Sequence, residues 1–396
     1  MKKKLLFING HMKPGGCERS LADLLCHMDF SKYDVDLLLF EDIGPYAQEL
    51  PDEVGVIFYD ITKAFGSYMA CIKRAVRHRD GFTFVLRNAI LLEKLFGGKS
   101  LRLCRFLFKR LQKRYDCVIA YRSGFCTDFA AYAVKAGQKI SWWHHGALDM
   151  GEKSQKNLQR AYRKMDCVAV VSEGCRLFLE NAFPDLKEKF ITIPNLVDKR
   201  EIEKKAGLYQ PKADISGRFL NLVSVGRLSP EKNMLVCPQV CKLLKERGYK
   251  VKWYIVGGGA QEKELKDQIC KYALQAEIVC TGSLQNPYPY INAADIYVHP
   301  SLVESQGLSI LEAMALEKPV VVVRSLGPEE FIRNGENGLL TEPTAKSICD
   351  GIITLAHNAA LLQKIKEKAT ETVEAYSPER VLQKFYSLLE DTGKGV

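Results

Sequence analysis

The sequence predicts an α/β protein built from two doubly wound domains, and three observations support this. First, short apolar segments alternate with helical segments along the whole chain, which is typical of parallel sheets covered by helices. Second, the alternation falls into two series, separated by a polar stretch at residues 199–218. Third, a chain of 396 residues with 47% apolar and 26% charged content is an ordinary globular protein, long enough for two or three hydrophobic cores.

The strands of both series are short runs rich in apolar and β-branched residues, which indicates burial on both faces of a sheet. The first series predicts strands at residues 4–8, 35–40, 55–59, 117–121, 139–143, 167–171 and 191–193. The second series predicts strands at residues 220–225, 252–256, 278–280, 296–299, 320–323 and 338–340. After residue 376, Ser377 and Pro378 interrupt the last long helical run, and a new helix is predicted over 379–389.

Two turns of the first half lie where strands end, at the sheet edge that binds ligands in open parallel sheets. Strand one ends at Asn9, and Gly15 and Gly16 then lead into a helix. A tryptophan pair closes a later strand and is followed by His144. A histidine at this edge can donate a hydrogen bond to a sugar hydroxyl or a phosphate. The alternative is an ordinary turn residue.

The net charge of +10 is concentrated in one segment of the first half. Between residues 61 and 114 the chain holds fourteen Lys and Arg and two acids, with apolar residues at roughly helical spacing among the bases. Such a basic amphipathic segment predicts a surface for anionic lipid headgroups. A solvated helical face is the alternative. No nucleic-acid-binding signature accompanies the charge, so no nucleic-acid partner is expected.

Thirteen cysteines are present, but no two are spaced as C-x2-C. Most lie in apolar segments, which is typical of reduced thiols in a cytosolic protein rather than of a metal or disulfide framework. No run of 18 apolar residues occurs, so no membrane-spanning helix is predicted. We therefore expect a cytoplasmic protein that can lie peripherally on the inner face of the cell membrane.

The second half opens with a strand that ends at Gly226 and Arg227, followed by Ser229, Pro230 and Lys232. Ser and Pro in these positions predict an N-cap and the first residue of a helix. Two cations and a helix N-terminus at the carboxyl end of a strand make an anion site, and a diphosphate fits it. Two solvated surface bases are the alternative.

Two further strands end in turns that can approach a ligand. Gly257, Gly258 and Gly259 follow one of them, and their small size allows close approach of the backbone. This is not the full dinucleotide fingerprint. The next strand ends in a turn that can offer backbone groups to a nucleotide base, formed by Thr281, Gly282 and Ser283.

The most informative segment runs from Glu304 to Glu312. If it were helical throughout, eight steps of about 1.5 Å would place the two carboxylates roughly 12 Å apart. That exceeds the roughly 5 to 9.5 Å between paired glycosidase carboxylates, but it suits the two ends of a nucleotide-sugar. Free N–H groups at a helix N-terminus between them would suit the diphosphate, namely those of Gln306, Gly307 and Leu308. A loop charge and a solvated helix residue are the alternative.

Taken together, these segments resemble the retaining GT-B glycosyltransferases of family four, the glycosyl transferases group 1. The likeness is strong over residues 222–340 and weaker over 4–198. Its motifs are Gly15 with Gly16, His144, the segment 195–198, Gly226 with Arg227, the segment 231–233, Gly257 with Gly259, Glu304 to Glu312 with the following Ala313, Met314 and Ala315, and the segment 335–340. Two positions depart from the pattern: Gln306 stands where many members carry an aromatic residue, and Ser305 replaces a glycine.

The resemblance implies two Rossmann-like domains that face each other across a cleft. Residues 1–198 would bind the acceptor, residues 199–376 the nucleotide-sugar donor, and the final helix at 377–396 would cross back to the first domain. Arg227 and Lys232 would neutralise the leaving diphosphate, Glu304 would bind hexose hydroxyls, Glu312 the ribose, and His144 would lie near the reacting sugar. The glycine and Thr281–Ser283 turns and Ser305 to Leu308 would complete the donor site, with no divalent metal.

The expected function is therefore the transfer of a hexose-type sugar from a nucleoside diphosphate, UDP above all, to an acceptor hydroxyl with retention of the anomeric configuration. The basic segment favours a lipid-linked or cell-surface glycan as the acceptor. Two alternatives remain open. A GT-B epimerase or phosphorylase would act on the sugar without such an acceptor, and a non-catalytic partner would bind the nucleotide-sugar without turnover.

Overall fold

The structure is a computed structural model that describes residues 1–96, 106–108, 111, 114–148, 150–211 and 219–390. The chain divides into two compact units. The first comprises Met1–Pro194 with Val381–Val396, and the second comprises Asn195–Arg380. The sequence placed these junctions at residues 198 and 377.

Within the described residues, the first unit holds a seven-stranded parallel sheet in the order β3-β2-β1-β4-β5-β6-β7. Its strands are β1 Lys3–His11, β2 Tyr33–Asp42, β3 Val54–Phe58, β4 Tyr115–Ala120, β5 Ala136–Trp143, β6 Cys167–Val170 and β7 Phe190–Thr192. The strand order reverses between β1 and β4. In an open sheet this switch point is where ligands bind, beyond the carboxyl ends of the strands.

The second unit has, in the part of the chain that is described, a six-stranded parallel sheet in the order β10-β9-β8-β11-β12-β13. Its strands are β8 Leu220–Val225, β9 Val251–Val256, β10 Ile278–Gly282, β11 Ile296–His299, β12 Val320–Val323 and β13 Leu339–Thr341. Its switch point lies between β8 and β11, which pair through Ile296 with Leu222 and Tyr297 with Val223. Both sheets are thus doubly wound.

The helices connect the strands and cover the sheets. They are α1 Gly16–Cys26, α2 Tyr68–Arg77, α3 Gly81–Phe96, α4 Phe125–Tyr132, α5 Glu152–Tyr162, α6 Glu173–Ala182, α7 Lys199–Ala206, α8 Cys237–Glu246, α9 Glu262–Lys271, α10 Tyr288–Ala293, α11 Leu308–Ala315, α12 Pro328–Phe331, α13 Ala345–His357, α14 Ala359–Glu374 and α15 Pro378–Glu390. Among the described residues, no helix is long and apolar enough to cross a membrane.

Burial on both faces explains why the strands read as continuous apolar runs. Neighbouring residues of one strand point to opposite faces. In β9, Trp253 packs into one core cluster and Tyr254 into the other. In β12 the same division separates Val321 from Val322.

Helix α15 packs on the first unit although it follows the second in sequence. The Phe385 ring lies 6.1 Å from that of Phe7 in β1 and 5.7 Å from that of Trp142 in β5, centroid to centroid. The Gln138 amide donates a hydrogen bond to the Leu388 carbonyl at 2.9 Å. A buried aromatic contact of this kind ties the end of the chain to the first sheet.

The predicted fold class is confirmed: all thirteen predicted strands occur within the described residues, in two doubly wound sheets. One local prediction is correct in position but not in the kind of helix. Ser229 and Pro230 are the N-cap and the first residue of a helix, as predicted, but this is not an α-helix. They open a single 3-10 turn at Pro230–Lys232, a second turn follows at Met234–Val236, and α8 begins only at Cys237.

Candidate active site

The loops after β8 and β11 meet at the switch point of the second sheet. Asn233 ends the first 3-10 turn in the left-handed conformation, with φ 52° and ψ 32°. Its side-chain amide donates to the Pro300 carbonyl at 3.2 Å, and the Leu302 N–H donates to the Glu231 carbonyl at 2.8 Å. These bonds explain why the turn does not continue as a helix: the loop after β11 fixes its backbone. They also set the position of Lys232.

A buried carboxylate with two donors lies at the centre of this site. The Glu304 Oε1 atom accepts from the Lys232 ammonium at 2.5 Å and from His299 Nε2 at 2.7 Å. Glu304 and His299 are buried, at 8% and 1% exposure. Burial alone would raise the pKa of Glu304, but the Lys232 ammonium and the His299 imidazole hold that pKa well below its usual value. The carboxylate therefore stays ionised and can accept hydrogen bonds from ligand hydroxyls.

Arg227 differs from Lys232 in its surroundings. Its side chain is 69% exposed, and its Nη1 atom lies 4.0 Å from Glu231 Oε1. A contact of that length and exposure holds the guanidinium weakly. The Arg227 side chain is therefore weakly held, and its predicted contact with a diphosphate stays a prediction.

The Gln306 side chain makes a buried contact within the second unit. It is 2% exposed, and its Oε1 atom accepts from both the backbone N–H and the side-chain amide of Asn195, at 2.8 and 2.7 Å. Its own amide donates to the Asn195 carbonyl at 3.2 Å. The Gln306 side chain therefore anchors the segment after β7, and the predicted contact of the Gln306 backbone N–H with a diphosphate stays a prediction.

We expect Gln306→Leu to loosen this anchor. Leucine would leave the buried polar groups of Asn195 without partners, which costs about 3 kcal/mol in total. The measurement is hydrogen exchange of the Asn195 amide and of α11, which should exchange about a hundredfold faster, since each factor of ten is about 1.4 kcal/mol. Gln363→Leu is the control, because Gln363 is exposed in the same unit. Unchanged exchange in Gln306→Leu would contradict the anchoring role.

Helix α11 begins where the sequence predicts an anion-binding helix N-terminus. Gly307 is its N-cap and has φ +84°, a conformation that favours glycine. The first N–H groups of a helix have no acceptor within it, so the turn at Leu308 presents donors to a ligand. Glu304 lies before the helix, so the segment is not helical throughout. Ser305 lies in the same loop, and its carbonyl packs against Gly327.

Glu312 lies on α11 and is buried, at 8% exposure. The Tyr288 hydroxyl donates to its Oε1 atom at 2.8 Å. This hydrogen bond, which Tyr288 of α10 donates, fixes one oxygen of the Glu312 carboxylate. The predicted contact with a ribose stays a prediction.

The glycines after β8 and β9 pack the loops against each other. A Cβ atom on Gly257 would lie 1.8 Å from the Gly226 carbonyl oxygen, and one on Gly259 would lie 2.4 Å from that of Leu228. The Gly257 N–H also donates to the Gly282 carbonyl, at 2.9 Å. These glycines therefore bring the loops after β8, β9 and β10 together. The predicted approach to a donor stays a prediction for them, and for Thr281 and Ser283 beside them.

The first unit has a polar cluster at its own switch point. Gly15 caps α1, which starts at Gly16. The Glu18 Oε1 atom in the first turn lies 3.6 Å from His11 Nδ1 and 3.7 Å from Arg122 Nη1. Arg122 Nη1 also lies 2.8 Å from His11 Nε2. The cluster joins the loops after β1 and β4, and sequence reasoning did not assign His11 or Arg122 to a site.

His144 follows β5 in a half-buried position, with its ring stacked on that of Trp142 at 6.0 Å between centroids. Burial, with a smaller contribution from His145, lowers the pKa of His144 to about 3. The imidazole is therefore neutral at physiological pH. Its Nε2 atom is buried and has no hydrogen-bond partner among the described residues. The predicted place of His144 near a reacting sugar stays a prediction.

His299 is the residue that sequence reasoning missed in the second unit. It was assigned only to the strand that became β11. The available signal was a polar side chain at the last position of a buried strand, at the ligand-binding edge of the sheet.

The His, Cys, Asp and Glu side chains do not form a metal site within the ranges described: no group of three or more of them is arranged to hold a metal ion.

Comparison with known proteins matches one family model to part of the second unit. Residues 209–372 match the family model for glycosyl transferases group 1. One curated relative is the poly(ribitol-phosphate) α-N-acetylglucosaminyltransferase of Staphylococcus aureus, 28% identical over 330 residues, 78% of this chain and 64% of that protein. Another is the protein EpsD of Bacillus subtilis, 28% identical over 41% of this chain and 43% of that protein. The chain thus spans less than two thirds of the length of these relatives.

Solved structures share the fold over nearly the whole chain. The Anabaena protein HepE, solved with UDP and glucose, has a TM-score of 0.74 at 20% identity and covers 98% of this chain and 99% of its own. A variant of S. aureus TarM, solved with UDP, fondaparinux and α-GlcNAc-glycerol, has a TM-score of 0.73 at 19% identity and covers 98% of this chain and 100% of its own. At these identities the likeness establishes the GT-B fold.

Proposed function

We propose that this chain, which has the GT-B fold and matches the family model for glycosyl transferases group 1 over residues 209–372, is a retaining glycosyltransferase. It transfers the hexose-type sugar of a UDP-sugar donor to a hydroxyl group of a lipid-linked or cell-surface glycan. The bond between the anomeric carbon and the diphosphate oxygen breaks, and the acceptor oxygen bonds to that carbon on the same face. The hydroxyl proton leaves with the departing diphosphate.

The observation that carries this proposal is the Lys232–Glu304–His299 cluster at the switch point of the second sheet. It combines a cation for a diphosphate with an ionised carboxylate for sugar hydroxyls. Lys232 and Arg227 stabilise the negative charge that grows on the leaving diphosphate, an effect that is often the largest single contribution to catalysis. Glu304 holds the hexose, Glu312 the ribose, and the N-terminus of α11 the phosphates.

The relatives support the choice of donor, acceptor and stereochemistry. The S. aureus relative is named as an α-N-acetylglucosaminyltransferase acting on a poly(ribitol-phosphate), and HepE and TarM were solved with UDP. An α-linked product from an α-configured UDP-sugar requires retention. We extend to this chain a UDP-sugar donor, a glycan-type acceptor and a retained configuration.

The experiment is a donor panel. Wild-type protein is incubated with UDP-, GDP- and ADP-sugars, hydrolysis or transfer is measured, and the product anomer is followed by NMR. We expect turnover of UDP-hexoses with retention, and full activity in EDTA, because Arg227 and Lys232 supply the positive charge at the diphosphate. Epimerised donor without transfer would favour an epimerase, and nucleotide binding without any turnover would favour a non-catalytic partner. An inverted product would refute retention of the anomeric configuration. Loss of activity in EDTA would refute stabilisation of the diphosphate without a divalent metal.

We further propose that the first unit docks on an anionic membrane through helix α2. This helix buries Cys71 and Ala75, whereas Met69 and Val76 are 59% and 62% exposed. Exposed bases lie among these apolar residues, at Lys73, Arg74 and Arg77. Exposed apolar side chains with bases around them suit a surface of anionic headgroups.

Not every base of the segment can be assigned to this surface. Arg87, one of the fourteen bases, is 6% exposed and its Nη2 atom donates to the Gly66 carbonyl at 3.1 Å, so it does not belong to an exposed basic face. Seven further bases lie outside the described side chains: Lys94, Lys99, Arg102, Arg105, Lys109, Arg110 and Lys113. The proposal therefore rests on α2.

We expect the protein to sediment with phosphatidylglycerol vesicles at low salt and not with phosphatidylcholine vesicles. A base near an anionic surface is worth about 1 kcal/mol, so replacing Lys73 and Arg77 by Gln should weaken partitioning about thirtyfold. Replacing Lys153 and Lys156 by Gln is the control, because these exposed lysines lie on α5 of the same unit. Equal sedimentation with both lipids would argue against this docking surface.

A further inference from the structure

We propose, building on the function proposed above, that His299 is a positioning residue that orients the Glu304 carboxylate for the donor sugar. His299 does not contact the substrate in this proposal. It acts through Glu304, which it holds from the end of β11. Through Glu304, His299 contributes to recognition of the hexose hydroxyls of a UDP-sugar. It does not contribute to recognition of the UDP part.

The geometry of the carboxylate supports this role. Both described donors of the Glu304 side chain, Lys232 Nζ and His299 Nε2, reach the same atom, Oε1. Two bonds to one oxygen fix the rotation of the carboxylate and turn Oε2 away from both donors. Oε2 is then the atom that accepts from a sugar hydroxyl.

His299 is better suited than Lys232 to keep this orientation during the reaction. Lys232 has a flexible four-carbon stem, its side chain is 24% exposed, and it also serves the diphosphate. His299 lies in a strand, is 1% exposed, and its ring is stacked on that of Tyr297 with an interplanar angle of 19°. When a diphosphate draws the ammonium away, the imidazole contact remains.

The second ring nitrogen is held as well. A carboxylate can only accept, so Nε2 carries a proton, and Nδ1 lies 3.4 Å from the Tyr297 hydroxyl. That hydroxyl also lies 3.4 Å from the Val225 carbonyl oxygen at the end of β8. The imidazole is therefore fixed between β8 and Glu304, and its orientation follows from the sheet itself.

The test separates sugar recognition from nucleotide recognition. Equilibrium dissociation constants for UDP, UDP-N-acetylglucosamine and UDP-glucose are measured with wild-type protein, His299→Met and His299→Gln. Methionine cannot donate to Glu304, whereas the glutamine amide can reach it. We expect His299→Met to weaken binding of the preferred UDP-sugar about tenfold or more, as for a lost hydrogen bond to a charged group, and to leave UDP binding within about twofold.

His299→Gln should restore UDP-sugar binding to within about threefold of wild type, a rescue that a purely structural role of the ring would not give. His357→Met is the control, because His357 is an exposed histidine of the same unit. Equal weakening of UDP and UDP-sugar, or no change in either, would overturn the role of His299 while leaving the glycosyltransferase proposal intact. A wild-type protein that binds no UDP would overturn both.

Discussion

Replacing Lys232 by Ala should lower kcat by about 10² to 10³, which corresponds to about 2.7–4 kcal/mol in the activation barrier. The ammonium lies beyond the carboxyl end of β8, where the charge of the leaving diphosphate grows in the proposed reaction. Its hydrogen bond to Glu304 at 2.5 Å keeps it in that position before the donor arrives. Because this stabilisation is needed most in the transition state, kcat should fall more than the donor KM rises.

Lys242→Ala is the matched control for this change. Lys242 pairs with Glu246 at 3.5 Å, on the surface of α8 in the same unit, with both side chains at least half exposed. Exposed pairs contribute little, so turnover should stay within about twofold of wild type. A Lys232→Ala protein whose kcat remained within a factor of three of wild type would remove Lys232 from the catalytic machinery.

The same substitution should change the response to acid. Lys232 is one of the two groups that hold the pKa of Glu304 low against the effect of burial. Without the ammonium the pKa of Glu304 rises, so the carboxylate is protonated at a higher pH than in wild type. We expect the acidic limb of the kcat/KM profile to move to higher pH in Lys232→Ala, relative to Lys242→Ala.

The fold was predictable because its signal is local. Strands buried on both faces are continuous apolar runs, and a helix must follow each one to reach the next parallel strand. The motif residues were also visible, because glycines, bases and glutamates follow the strand ends directly. Their placement at a switch point then follows from the topology alone.

The contacts within the site could not be predicted in the same way. Lys232 and Glu304 are 72 positions apart, and Asn195 and Gln306 are 111 apart. No local pattern records that one glutamine binds a distant backbone, or that a histidine at the end of a strand reaches a glutamate. The short turn after Ser229 has the same origin: local preference predicts the helix start, but bonds from the loop after β11 limit it to a single 3-10 turn.

Replacing Glu304 by Gln should lower kcat/KM for the donor about a hundredfold. The change keeps the size of the side chain. The glutamine oxygen will face Lys232 and His299, because both are donors, so its NH2 group takes the place of Oε2. That group can donate a hydrogen bond but cannot accept one. A hydrogen bond to a charged group is worth about 1.5–3 kcal/mol, and Lys232 also loses the negative charge that holds it.

Glu246→Gln is the control for Glu304→Gln. Together with Lys232→Ala and Lys242→Ala, these substitutions test one buried ion pair and one exposed ion pair in the same way. For the buried pair we expect strong coupling: once Glu304 is Gln, Lys232→Ala should cost much less than in wild type, because the ammonium is no longer held in place. For the exposed Lys242–Glu246 pair the two effects should add. Full additivity at Lys232 and Glu304 would mean that the two side chains act independently, and the anion site would then have to be assigned to Arg227 and the N-terminus of α11 instead.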